Sequence, residues 1–182
     1  MLKLLRSRKL ESLLAQRRDR LHRLANSWCH DVMLADDLVQ DTLAKALKNH
    51  HQLKDNEKID GWMFRILHNT WMDHLRRYKP TTDLDDIDPF DDATPESNLS
   101  DEQLANRVQL AVFKLPIPQR QVITLVDLEG SSYAEVSEIL ELPIGTVMSR
   151  LNRARNTLKK RLIGIRKRES NPVQVDYIRR VK

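Results

Sequence analysis

Between Leu142 and Leu162 the spacing of Met148, Ser149, Asn152 and Arg153 would gather these side chains on one face of a helix. Their chemistry suits base edges: an arginine fork matches guanine bidentately, and an asparagine amide matches adenine. Arg150, Arg155, Lys159, Lys160 and Arg161 would meet phosphates around them. The stretch contains no acid, and at about 100° per residue Val147, Leu151, Ala154, Leu158 and Leu162 fall on the opposite side. Charge alone would also fit a basic helix left in solvent.

A second set lies in "IDGWMFRILHNTWMDHLRRYK", which mixes aromatic and basic residues. Aromatic faces stack on unpaired bases while guanidinium groups meet phosphates, a pairing suited to single-stranded nucleic acid. Trp62, Met63, Ile66, Leu67 and Leu75 read as packing residues, which leaves Arg76, Arg77, Lys79 and Trp71 as the contact candidates. A third set, Asp36, Asp37, Gln40 and Asp41, sits early on a helix whose lysines, Lys45 and Lys48, come late. Acids placed so complement the helix dipole, or they form a docking surface for a basic partner helix; both readings stand on spacing alone.

The elements that must hold these residues are helices. At 182 residues, with 40% hydrophobic and 31% charged residues and four Gly, the chain suits one or two small helical cores. Leu10, Leu13, Leu14, Leu21 and Leu24 recur at three- and four-residue steps. The next segment turns Ala35, Leu38, Val39, Thr42, Leu43, Ala46 and Leu47 inward. Near the C-terminal end Ser132 and Glu135 make a capping box for a short helix, and Pro143 suits the first turn of the following one. Two helices so joined make a helix-turn-helix, whose second helix enters the major groove by its N-terminal part.

Charge divides the chain more clearly than its sum of +5. Residues 1–78 carry +5, residues 79–101 carry −7 and residues 102–182 carry +7. The middle stretch, with three prolines and six aspartates from Asp83 to Asp92, reads as an acidic flexible linker between two small domains, free or lying in a basic channel. The expected organisation is therefore all-α: a helical domain over 1–78, the linker over 79–101, a helix-turn-helix domain over 102–168 and a tail over 169–182 of no readable role.

No apolar run reaches the roughly 18 residues of a membrane span, and the single Cys29 has no internal partner, so the expected location is cytoplasmic without membrane insertion. His50 and His51 lie far from Cys29 and His30 with no ligand spacing, so no metal or cofactor is expected. An enzyme is not expected either: the aspartates crowd into the linker, where fixed catalytic geometry is implausible.

"ADDLVQDTLAKAL" with "WMFRILHNTWMDHLRR", and then "LPIPQRQVITLVDLEGSSYAEVSEILELPIGTVMSRLNRAR", resemble the second and fourth conserved regions of the extracytoplasmic-function (ECF) group of bacterial RNA polymerase sigma factors. The resemblance implies a subunit that directs core polymerase to promoters and captures the opened strand. It implies that Asp36, Asp37, Gln40 and Asp41 face the β′ clamp helices. It places Asn69, Asp73, Arg76 and Arg77 in the stretch that engages the −10 element, with Trp71 among them. Ser149, Asn152 and Arg153 match positions that read the −35 element, beside Met148, Arg150, Arg155 and Lys159. An anti-sigma factor is the further partner it suggests, besides the polymerase β subunit. Two residues depart from the pattern: Glu141 stands where Gly is usual in the turn, and Met148 where a basic residue is common. The competing reading is a free-standing helix-turn-helix regulator, which would dimerise on palindromic sites and would leave the acidic N-terminal helix without a role.

Overall fold

The computed structural model describes residues 11–53, 55–78 and 101–169. Leu10, Lys79, the acidic linker up to residue 100 and the tail from residue 170 lie outside them. Among the described residues there are helices and turns but no strand. A helical turn over 11–15 leads into α1 (Arg18–Cys29), followed by α2 (Val32–Lys48), short 3₁₀ turns at His50–Gln52 and Asn56–Lys58, and α3 (Ile59–Tyr78). The C-terminal region holds α4 (Asp101–Phe113), α5 (Ile117–Ile123), a π-helical turn at Thr124–Leu128, α6 (Tyr133–Leu140) and α7 (Ile144–Glu169).

Local chemistry sets the helix ends. Asp31 caps α2, its carboxylate accepting from the Met33 and Leu34 amides at 2.9 and 3.1 Å. The dipole's reach fades within the first turn, which here is Val32 to Leu34, so Asp36, Asp37 and Asp41 sit too far along to be explained by it. The capping box of α6 forms as expected: Glu135 N donates to Ser132 Oγ at 3.2 Å and Ser132 N to Glu135 Oε2 at 2.7 Å. The Ser132 backbone amide holds the Glu135 carboxyl below its ordinary range. Pro143 precedes α7 rather than opening it, and its carbonyl accepts from Thr146 and Val147 at 2.8 and 3.1 Å. Gly130, at φ +71°, supplies the left-handed turn into the capping box.

Burial follows the helical period. Leu14, Leu21, Leu24, Ala35, Leu38, Val39, Thr42 and Ala46 are interior, and Thr42 satisfies its hydroxyl on Leu38 O at 2.7 Å. Leu47, expected inside, is exposed at the last turn of α2. Arg17 and Arg20 both reach Asp60, at 2.5 and 2.6 Å, and so fasten α1 to the start of α3.

One hydrophobic core runs through both halves of the chain. Trp28, Met63 and Leu67 from the N-terminal region belong to the same cluster as Leu115, Val122, Val136 and Leu151 from the C-terminal region. α6 lies against α3, while α4 and α5 lie against α1. The sequence allowed one core or two; the described residues make one.

Candidate nucleic-acid interface

α7 presents its sides as the spacing predicted. Val147, Leu151 and Ala154 are buried, Leu158 is half-buried, and Ser149, Asn152 and Arg153 are exposed. Met148 is 52% exposed on the same outer face. Lys159 is exposed and Arg150 partly so. Ser149 Oγ donates to Thr146 O at 3.0 Å, an ordinary helical back-bond that leaves its lone pairs outward.

Arg155 is different. Asp127, carried outward by the π turn, grips its guanidinium at 3.1 and 2.5 Å. That bidentate bond raises the Arg155 pKa above its already high ordinary value. Asp127 escaped the sequence reading because the two residues lie 28 positions apart and neither position marks the other.

In the N-terminal region, a cleft of about 390 Å³ runs between α2 and α3. Asp37, Gln40, Asp41 and Lys45 line one wall, and Thr70, Asp73, His74, Arg77 and Tyr78 the other. Asp37, Gln40 and Asp41 are exposed. Asp36 stands apart from them, engaged by Arg18 at 3.0 Å and within 3.7 Å of His22. Asp73 accepts from Arg76 and lies 3.7 Å from Lys45, and the Arg76 bond holds its carboxyl below the ordinary range. Asn69, Arg76 and Arg77 are exposed beside it.

Trp71 needs correction. It is 5% exposed, stacked on His74 with ring centroids 5.7 Å apart, and its indole N–H meets no acceptor among the described residues. The ring therefore packs the interior and offers no face to a base. A large aromatic beside arginines fits either role in sequence, and here burial wins.

Polar residues not singled out in the sequence cluster where the two halves meet. Trp28 Nε1 donates to Thr124 Oγ1 at 2.8 Å, and His68 Nδ1 and Gln121 Nε2 lie 3.0 Å apart. Arg20 bonds the Glu129 carboxylate and, at 2.9 Å, its carbonyl. Arg120 is buried and donates to Trp28 O and to Leu115 O, with its guanidinium 4.4 Å from the centre of the Phe113 ring. Among the described residues it bonds no carboxylate, and burial lowers its pKa to about 10. Buried cations are normally paired, so this is a costly group to enclose.

The two regions that carry these polar faces match two protein-family models in chain order. The Sigma-70 region 2 family model matches residues 13–81, and the Sigma-70 region 4 model matches residues 105–158. The ECF RNA polymerase sigma factor SigM of Mycobacterium tuberculosis is 35% identical over 156 residues, covering 85% of this chain and 76% of that protein. SigW of Bacillus subtilis, also an ECF RNA polymerase sigma factor, is 31% identical over 157 residues, covering 80% and 84%. Among solved structures, the sigma factor RpoE of Bartonella quintana, in complex with the anti-sigma factor NepR, gives a TM-score of 0.68 at 29% identity, covering 85% and 97%. CnrH, in complex with the cytosolic domain of CnrY, gives 0.59 at 28% identity, covering 84% and 86%.

The chain belongs to the ECF group of RNA polymerase sigma factors. Its function is accordingly to bind core polymerase, to recognise −35 and −10 promoter elements and to promote the strand opening that initiates transcription.

Proposed function

We propose a division of that function over two units, residues 1–78 and 102–168, joined by the acidic stretch 79–101. Asp37, Gln40 and Asp41 dock the β′ clamp helices, with Asp36 held behind them by Arg18. Asn69, Asp73, Arg76 and Arg77 engage the −10 element, with Asp73 and Arg77 on the far wall of the same cleft. Ser149, Asn152 and Arg153 read the −35 element, with Met148 on the same face, while Arg150 and Lys159 neutralise phosphates.

The observation that carries this reading is the exposure of each set on a helix whose opposite side is buried. Side chains placed so are free to meet a partner without unfolding their own support. Capturing an opened −10 strand shifts the melting equilibrium by differential affinity alone, so no ATP is required. The polymerase performs the chemistry; this chain is not itself an enzyme and acts in the cytoplasm. Among the described residues no helix is long and apolar enough to cross a membrane. Both solved relatives above are complexes, RpoE with the anti-sigma factor NepR and CnrH with a domain of CnrY, and an anti-sigma factor is the regulator we expect here.

Run-off transcription with purified core polymerase on a pooled promoter library tests the reading. Protein-dependent initiation from templates sharing −35 and −10 elements is the expected result. Tight binding of the isolated protein to palindromic duplexes, without initiation, would favour the free-standing regulator.

A further inference from the structure

The two departures from the family pattern meet different fates. Glu141 closes the turn before α7 with φ 55° and ψ 45°, a left-handed backbone that suits Gly, and its carboxylate accepts from Arg65 Nη2 at 2.5 Å. Met148 instead faces solvent, 52% exposed, and Ile144 one turn earlier is 49% exposed. Residues four apart are neighbours on a helix surface, so the two make one apolar patch on the first turns of α7. Asn152 continues the same row one turn on, its Oδ1 accepting from Asn156 Nδ2 at 3.2 Å. Ser149 is exposed alongside, and a Cβ at Gly145 would meet nothing within 4 Å among the described residues, so the surface beside the patch is open.

Single apolar side chains in water are ordinary on a protein surface. This pair is placed differently, because the N-terminal part of the second helix is the part that enters the major groove. There the base edges present hydrogen-bond donors, acceptors and a single kind of apolar group, the thymine C5-methyl. A thioether is a poor acceptor and carries no charge, so it suits neither a phosphate nor the hydrogen-bonding edge of guanine. It is unbranched and polarisable, and it can fit itself closely against a methyl. The β-branched Ile144, with little rotamer freedom, gives that fit a stiff flank.

We propose that Met148, braced by Ile144, reads a thymine methyl in the −35 element. The inference deepens the −35 reading of α7 and rests on it. Met148 and Asn152 lie about 6 Å apart along the helix, at about 1.5 Å per residue, so the thymine falls within about two base pairs of the pair met by Asn152. Where a basic side chain would draw affinity from phosphate charge, this chain draws it from burying a methyl. Its −35 recognition is therefore more selective for A·T at one position, and less dependent on salt, than it would be with arginine there.

The test uses holoenzyme, assembled from the full chain and core polymerase, on a promoter selected from the run-off library. Each thymine of the −35 element, on either strand, is replaced in turn by deoxyuridine, which removes the methyl and nothing else. One replacement should weaken binding about three- to fivefold, the worth of one buried methyl, while the others change little. Met148→Ala should lose a similar factor on the thymine template and nothing further on the uracil one. Its melting midpoint should stay at the wild-type value, since an exposed helical position accepts Ala. Met148→Arg should abolish the discrimination and steepen the salt dependence by about one unit of slope. A wild type indifferent to every uracil, equal uracil sensitivity in Met148→Ala, or a selected −35 element with no A·T pair would overturn the methyl contact. A scrambled −35 element separates the two readings: if it weakens binding while every uracil is tolerated, only the methyl contact falls, and if it binds equally well, both fall.

Discussion

The Arg155 guanidinium on α7 is held at both ends of its fork by Asp127, at 3.1 and 2.5 Å. A phosphate seeking this arginine must compete with a carboxylate already in place. Replacing Asp127 with Asn should therefore tighten binding of −35 duplex and steepen its salt dependence by about one unit of slope. Fluorescence anisotropy across a salt series measures both. An unchanged slope would mean that Arg155 serves only to brace α7 against the π turn.

Arg153 is exposed with no such competitor among the described contacts. If it reads a base edge, Arg153→Ala should cost about 1–3 kcal/mol at one −35 position and little elsewhere. Competition binding with every single-base variant of the element distinguishes this from a uniform loss, which would demote Arg153 to a phosphate contact.

Burial of Trp71 separates two substitutions that a base-stacking role would not. Trp71→Ala should destabilise the fold by about 3–5 kcal/mol, by emptying part of the core. Trp71→Phe, which also removes the unpartnered N–H, should cost much less and should leave initiation on a pre-melted −10 template near wild type. Urea unfolding and run-off assays on the same preparations give both numbers. Loss of initiation in a stable Trp71→Phe protein would restore the tryptophan to the DNA surface.

His68 links stability to pH. Burial lowers its pKa below the ordinary 6.5, so the unfolded chain binds a proton more readily than the folded one. The stability it contributes is complete above pH 6.5 and is lost as pH falls below that value through the folded pKa. Melting midpoints should fall over this interval in wild type and less in His68→Gln. The depressed carboxyls of Asp73 and Glu135 act at lower pH and would remain in both proteins.

Repetition made parts of this molecule legible in the sequence. The buried stripe of α7, the inward side of α2 and the capping box at Ser132 all follow local spacing, and a helix converts spacing into direction. The meeting of the two halves does not. Arg20, Arg65, His68, Arg120 and Gln121 look like surface residues by type, and their partners lie 53 to 109 positions away in all but one of these bonds. Asp36 shows a milder failure: it shares the composition of the Asp37 and Asp41 face, yet Arg18 on the neighbouring helix claims it. Glu141 was legible as a departure but not in its consequence, which needed the position of Arg65.

Trp28 is 1% exposed, its N–H is bonded to Thr124, and its ring meets His68 edge-on at 6.4 Å. An indole so placed emits according to whether that neighbour is present. Were this junction to open, the indole would lose an acceptor and an imidazole and gain water, and its emission would move to the red. With Trp62 and Trp71 replaced by Phe, the isolated chain would carry in Trp28 an optical gauge of this junction.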